Sequence, residues 1–465
     1  MSTAVPLPPA PSGASSEAAP AGTWRAGTLS YTRRGLVLLS LWLLLGDFAW
    51  SMRDRAVPPV MQLLFKRFGA SDMVTGLVFS TLPAALGMII GPIVAYRSDR
   101  LRTRWGRRIP FLIVPIPFVL LALAGLASAP WLGERLHRLL GAASPGIDPS
   151  VLIAMGAFWI LFDAACLTGN SVFGALVNDV VPQEVVGRFY GLFRAVSLVA
   201  GIAFFFKLMG KADAHPMAVF LAIAVLYGVG FLLMCLKVKE GEYPPPPEPR
   251  GGQRGFFAAA AAYFKDGFGN PYYLWYFAAV GFGNLATLPF NLYSFYYAQS
   301  MGLDADAFGK CIAATYACSL LLSYPLGALA DRVHPLRLTL ACLALYAVVM
   351  ACGGLFARTT PLFVAFFILH GVASGSLFTA SASLPQRLLP RAKFAEIGSV
   401  SGIIQALSMM AVAPLFGKFL DLTHHAYRYT FPACAVLTTL AFGAHFGLYR
   451  RFMALGGPRR YAAPE

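Results

Sequence analysis

Charge is what this sequence has least of. Only 12% of its residues are Asp, Glu, Lys or Arg, where soluble domains carry roughly 25%. The familiar signatures of catalysis are missing too: no Walker loop, no GxGxxG after a strand, no HExxH and no GxSxG. These absences exclude a soluble enzyme and leave no expected cofactor. The seven cysteines (Cys166, Cys235, Cys311, Cys318, Cys342, Cys352, Cys434) show no CxxC and all lie in apolar segments, so they read as small hydrophobes, with no disulfide or metal site. The first 23 residues, rich in Ala, Pro, Ser and Gly, lack the basic start and cleavage pattern of a signal peptide and read as disordered.

What the chain has in abundance is apolar length. It is 57% hydrophobic over 465 residues, with a mean hydropathy of +0.64. A bilayer-spanning helix takes about 20 apolar residues, so about a dozen spans fit with room for loops. Continuous apolar runs also exclude an outer-membrane barrel, whose strands alternate apolar and polar residues. The sequence predicts twelve spans, at 36–58, 73–96, 109–128, 151–174, 189–208, 217–236, 271–297, 308–330, 336–356, 361–384, 395–416 and 430–449.

Between spans 6 and 7 the run Tyr243-Pro-Pro-Pro-Pro-Glu248 cannot continue a helix. The organisation expected is a disordered tail (1–35), a six-helix bundle (36–236), a linker (237–270), a second six-helix bundle (271–449) and a tail (450–465). The net charge of +16 would suggest nucleic acid in a soluble protein, but here the basic residues cluster between apolar runs. They fall mostly on one set of alternate loops, above all Arg97, Arg100, Arg102, Arg104, Arg107 and Arg108. By the positive-inside rule both termini and the linker are cytoplasmic, in a cell (inner) membrane.

The halves echo each other. Asp99-Arg100 after span 2 corresponds to Asp331-Arg332 after span 8, and Val181-Pro-Gln-Glu after span 4 to Leu384-Pro-Gln-Arg after span 10. A duplicated six-helix unit places a solute site at midplane between the halves. The loop Ser98-Asp-Arg-Leu-Arg-Thr-Arg-Trp-Gly-Arg-Arg-Ile-Pro110 resembles the signature loop of the major facilitator superfamily. In its longer form it is similar to the branch containing the glycoside, pentoside and hexuronide cation symporters and the plant-type sucrose transporters. The resemblance implies an all-α membrane protein with the major facilitator fold, twelve helices in two pseudo-symmetric halves. It also implies a gate at Asp99, Arg100, Arg107, Arg108, Asp331 and Arg332, although the arginines could equally serve only to mark the cytoplasmic side.

Three further stretches carry the resemblance. Gly46-Asp47-Phe48-Ala49 in span 1, Phe158-Trp-Ile-Leu-Phe-Asp163 in span 4 and Arg194-Ala-Val-Ser-Leu-Val-Ala-Gly201 in span 5 are similar to sugar-contacting segments of that branch. Independently, an ionised side chain deep in a bilayer costs about 2.5 to 3.5 kcal/mol even on insertion scales, so Asp47, Asp163 and Arg194 are functional candidates by default. Carboxylates accept sugar hydroxyl protons and Arg donates a planar fork; a structural ion pair between Asp163 and Arg194 is the alternative. Trp50 and Trp159 are candidate stacking surfaces, ahead of Trp275 and Tyr276, although ordinary packing or an interfacial anchor is the commoner role for each. Asn284, His370 and Gln405 are candidate polar lining, along with Asn291. Arg53-Asp54-Arg55, toward the outer end of span 1, read as charges solvated in the cavity mouth, with a gating pair as the alternative.

Departures sharpen the expectation. Span 2 reads Gly87-Met-Ile-Ile-Gly91-Pro92 and has no carboxylate before Asp99, so a hard-cation site of the sodium-coupled members is not expected. Asp47 and Asp163 remain as proton carriers. Span 11 lacks the basic residue of the branch, and Gly174 stands where sucrose transporters have an Arg. The function expected is proton-coupled symport of a sugar or glycoside by a monomer in a lipid bilayer, with no nucleic-acid partner. The alternatives are transport of a nucleoside, drug or amphipathic metabolite, or a non-transporting pigment-protein assembly factor on the same fold.

Overall fold

The computed structural model of the chain describes residues 24–243, 270–390 and 394–464. Helices dominate them, and eleven are long and apolar enough to cross a membrane. Span 1 is Arg33–Arg67, span 2 Asp72–Arg100, span 3 Ile109–Ala127, span 4 Ile147–Val180, span 5 Gln183–Lys207 and span 6 Pro216–Lys237. In the second half, span 8 crosses at Ala305–Leu322, span 9 at Pro335–Phe356, span 10 at Thr360–Leu388, span 11 at Ile397–Leu422 and span 12 at Tyr427–Ala454.

The remaining span is the seventh, and it is not the continuous helix that its apolar run predicts. It is broken into Pro271–Leu285 and Leu288–Ser300. Pro289, in the first turn of the second piece, has no N–H to give and its ring clashes with the carbonyl four residues back, that of Leu285. With this broken helix the bundle has its twelve spans.

Span 2 is also irregular. Residues Leu77–Thr81 form a π-helical turn, and the indole N–H of Trp159 donates to the Val78 carbonyl at 3.0 Å. Such a turn shifts the helix face by inserting a residue, and leaves backbone groups that a neighbour must satisfy.

Span 1 packs on spans 5 and 6, and span 4 on spans 2 and 3; in the second half, spans 9 and 7 pack on span 12, and span 8 on span 10. The two most extensive pairings between the halves are span 5 with span 8 and span 2 with span 11. Exchanging the halves turns one pairing into the other, as a duplicated unit requires.

The tails differ from the expectation. Residues 1–23 lie outside the described residues, but Trp24–Ala26 (β1) and Leu29–Tyr31 (β2) pair as a hairpin turned at Gly27, whose φ is +58°. The linker lies outside the described residues from 244 to 269; its start, Val238 to Tyr243, is docked on the basic loop. The Glu240 carboxylate accepts from the backbone N–H groups of Arg107 (3.0 Å), Arg108 (2.8 Å) and Ile109 (2.7 Å). These N–H groups open span 3 and have no helical acceptor, so a negative charge there also suits the helix dipole. Replacing Glu240 by alanine is expected to cost about 1–2 kcal/mol, read as a lower unfolding temperature in detergent; an unchanged temperature would refute the capping role. At the other terminus, Tyr461 donates to the Leu388 carbonyl and accepts from the Tyr272 hydroxyl, each at 2.7 Å, which docks the chain at Tyr461 onto the second half.

Candidate functional site

Between the halves lies a cavity of about 1180 Å³, reaching from Asp47 and Trp50 to Pro385 and Leu388 near the basic-loop end. It continues past Ser51, Asp54, Arg55, Ser197 and Asn291 into an alcove of about 500 Å³ walled by Phe79, Trp159 and Phe162. The alcove lies within the size range of small-molecule sites, about 300–1,000 Å³, and the main cavity, at about 1180 Å³, is somewhat larger.

Span 1 supplies a stripe. Asp47, Ser51, Asp54, Pro58 and Gln62 recur every three or four residues and line one cavity or the other, because that spacing keeps side chains on one helix face. The three consecutive charges 53 to 55 cannot share a face, since a helix turns about 100° per residue. Asp54 and Arg55 line the cavities, whereas Arg53 turns into the first bundle and is fully buried. This corrects the solvated placement read from the sequence. The Arg53 guanidinium sits 4.1 Å over Trp50, 4.9 Å over Tyr227 and 5.8 Å over Phe162. Its one ion pair is with Asp54 Oδ1 at 2.6 Å, and its Nε and Nη1 have no hydrogen-bond partner. The aromatic faces therefore carry much of the charge compensation.

Asp47, Trp50, Arg194, Asn284, His370 and Gln405 line the large cavity, while Trp159 and Asp163 line the alcove. Asp47 and Asp163 each have a buried Oδ2 without a partner. Arg194 donates to Thr379 Oγ1 at 2.9 Å, across the halves, and among the described residues it forms no ion pair with Asp163. Trp50 offers only an edge, because its ring is packed 5.4 Å from Phe173 and 5.2 Å from Phe231. His370 is buried and sits 4.3 Å from the Phe290 ring. Its Nδ1 lies 2.8 Å from the Tyr346 hydroxyl and its Nε2 3.0 Å from Asn291 Oδ1. The network assigns the tautomer: Tyr346 donates to Nδ1 and Nε2–H donates to Asn291. His370 thus fixes the Asn291 amide at the cavity wall.

At the basic-loop end, Asp99 Oδ1 meets Arg108 at 2.5 Å. Arg108 also reaches Asp179 at 3.2 Å and Ser98 at 2.6 Å. Arg107 grips both Asp179 oxygens at 2.8 and 3.1 Å and lies 4.0 Å over the Tyr243 ring. Burial first, then the carboxylates of Glu240 and Asp179, push the Tyr243 phenol above its ordinary value, keeping it a neutral donor to Asp179. Arg100 stacks on Tyr96 at 4.1 Å instead. Arg332 is exposed, and the Asp331 side chain lies outside the described residues. The hub, Asp179, is an acidic residue at the end of span 4 that the sequence reading passed over.

The opposite end is shut by contacts between the halves. Asp421 of span 11 accepts from the backbone N–H groups of Asp72 and Met73 at 2.8 and 3.0 Å. Asp72, itself buried, takes the His425 Nδ1–H at 2.7 Å and the Tyr427 hydroxyl at 3.0 Å. Lys66 donates to Tyr427 at 2.8 Å and Tyr293 to the Asp72 carbonyl at 2.8 Å. Asp72, Asp421 and His425 bring ligand atoms within 4.8 Å of one another, a spacing that could hold a metal ion. All four carboxylate oxygens are engaged by protein donors, so the arrangement works as a latch.

Two six-helix halves, a polar cavity between them and a closed far end define the major facilitator fold. Residues 284–452 match the Major Facilitator Superfamily. The chain is 32% identical over 193 residues to the tetracycline resistance protein, class C, of Escherichia coli (37% of this chain, 43% of that protein). It is 25% identical over 217 residues to human proton-associated sugar transporter A (45% and 28%), and 26% over 166 residues to the Arabidopsis thaliana sucrose transport protein SUC4 (34% and 30%). It therefore spans less than half the length of these curated relatives. Among solved structures it resembles the nucleoside transporter NupG at a TM-score of 0.64 and 11% identity, covering 89% of this chain and 99% of that one. It resembles a D-xylose-proton symporter at 0.62 and 13%, covering 88% and 97%.

Proposed function

We propose that this protein is a secondary active transporter that moves a sugar or glycoside with protons, by alternating access. The observation that carries the reading is the polar cavity between two halves that, among the described residues, are latched at the end opposite the basic loops. Rocking the halves would break the latch and close the basic-loop end around the same site. With the basic loops cytoplasmic, the structure faces inward.

Asp47, Arg194, Asn284, Gln405 and, through Asn291, His370 would hold the solute. Trp50 and Trp159 would give it apolar edges and walls, and Asp163 would serve the alcove. Carboxylate, amide and hydroxyl groups match the alternating donors and acceptors of a polyol. Asp47 and Asp163 would carry the proton, since neutralising a carboxyl removes the charge that opposes its passage through a low-dielectric barrier. The network of Asp99, Arg107 and Arg108 on Asp179 would have to rearrange as the inner end closes. The partial match to a tetracycline resistance protein favours a second reading, transport of an amphipathic drug-like solute.

Uptake into proteoliposomes tests both. An inward pH gradient should drive sugar accumulation, a sodium gradient at equal pH should not, and Asp163→Asn should abolish accumulation while folded protein is recovered in normal amount. Accumulation on sodium alone would overturn proton coupling. Accumulation of tetracycline-like compounds with no sugar transport would select the second reading.

A further inference from the structure

The two guanidinium groups of the large cavity are held in an unusual way. Arg55 donates to the Tyr316 hydroxyl at 2.9 Å and to Ser197 Oγ at 3.3 Å. Arg194 donates to the Thr379 hydroxyl at 2.9 Å. Ser197 lies one helical turn beyond Arg194 on span 5, and residues three apart on a helix are neighbours. Two positive groups from spans 1 and 5 therefore converge on one stretch of wall. Their hydrogen-bond partners are neutral oxygens, Arg55 also lies 5.0 Å over the Tyr316 ring, and among the described residues neither is in an ion pair.

A guanidinium has five N–H donors. Arg55 uses two on hydroxyls and Arg194 one, while the buried Nε of Arg194 has no partner. The carboxylates nearby make up the charge only while they stay ionised. The charged side chains lining this cavity are Asp47, Asp54, Arg55 and Arg194. Asp54 is already matched by Arg53 behind it. With the alcove's Asp163 counted, that leaves two cations against Asp47 and Asp163, and against none once both carboxyls carry protons. Like charges held together in a low-dielectric cavity are costly unless an anion joins them.

We propose that Arg55 and Arg194 form an oxyanion-binding site and that the solute carries a carboxylate at that position, as a sugar acid does. This rests on the sugar reading and narrows it. The anion supplies the two acceptor oxygens that a guanidinium fork matches. Its charge and that of the proton on Asp47 enter together, so the loaded cavity gains no net charge before the halves rock.

The test uses the purified full chain and two kinds of probe. Benzoate and inorganic phosphate are compared with chloride at equal ionic strength for thermal stabilisation. The proposal expects benzoate to stabilise the wild type and to lose this effect in Arg55→Gln and Arg194→Gln. Arg55→Lys, which keeps the charge, should retain part of it and shows that the site tolerates substitution. No stabilisation beyond chloride, or equal stabilisation in the variants, overturns the proposal. Stabilisation by phosphate but not benzoate overturns the carboxylate assignment. Neutral sugars, their uronic acids and a ring carboxylate without hydroxyls form the second set. Uronic acids should bind about tenfold or more tightly than their neutral parents, the worth of a charged hydrogen-bond pair. A neutral parent that binds as tightly as its acid would refute an anionic solute. A ring carboxylate that binds as tightly as the uronic acids would keep the anion site and refute the sugar reading instead.

Discussion

Replacing Arg53 by alanine is expected to deplete the folded protein. The side chain is fully buried in the first bundle, flanked by Trp50, Tyr227 and Phe162, so truncation leaves a cavity among three rings. Large-to-small changes of this size cost about 3 kcal/mol or more. The loss of charge works differently. Asp54, its partner, is about half exposed at 47% of its side chain, so cavity water can solvate it once Arg53 is gone. A buried ion pair can often be exchanged for a hydrocarbon of similar volume without loss of stability. Arg53→Met should therefore fold in near-normal amount yet transport poorly, because Asp54 loses the group that fixes its position at the junction of cavity and alcove. Detergent-extracted, monodisperse yield and initial uptake rate separate the two effects. If the methionine variant unfolds like the alanine variant, the charge and not the volume holds this part of the bundle. If both fold normally, the packing argument is wrong.

Valine at position 417 should force the latched end open. A Cβ on Gly417 would come 2.4 Å from the Asp72 carbonyl oxygen and 2.5 Å from the Tyr293 hydroxyl. At Gly76 on the facing helix it would come 2.6 Å from the Ala413 carbonyl oxygen. Side chains do not fit at such distances, and the nearest obstacle at each glycine is a backbone carbonyl, so the halves must separate. Separation gives up the bonds of Asp72, Asp421, Tyr293 and Tyr427, each worth about 1 kcal/mol net, and two conformations of one protein differ by only a few kcal/mol. A cysteine introduced at the buried Thr75, in a background without other reactive thiols, should then react with a water-soluble maleimide about tenfold or more faster, and transport should stall. Unchanged labelling in a folded Gly417→Val protein would show that the two helices do not meet as closely as described.

Much of the fold was legible because a bilayer imposes it. Twenty apolar residues in a row have few solutions other than a crossing helix, so twelve spans could be placed from hydropathy, and the paired landmarks Asp99-Arg100 and Asp331-Arg332 pointed to duplication. The break in span 7 was less legible. Pro289 was visible, but a proline can kink a helix without splitting it, and the outcome depends on neighbours that re-satisfy the freed groups. The site was partly legible. Asp47, Asp163 and Arg194 stand out because charge is rare in apolar runs, and all three line a cavity. Asp54 was read only as a charge in the cavity mouth, although it shares a face with Asp47 seven residues earlier, a periodicity that could have placed it in the site. The latch was not legible at all, since Asp72, Asp421, His425 and Tyr427 are ordinary polar residues at helix ends, more than 340 positions apart across the halves.

The sequence by itself determined that the chain crosses a membrane many times, in two related halves, with its basic loops on one side. Those properties follow from composition and period, which are local and additive along the chain. Only the tertiary structure decided which charges meet. It put Arg53 in the bundle and its neighbours in the cavity, bound Arg194 to Thr379 instead of Asp163, and set Arg55 beside it. It also closed one end of the cavity through Asp72. Such contacts depend on helix rotation and on the packing of spans distant in sequence, and a rotation of one residue, about 100°, is enough to move a charge from a protein core to a solute site.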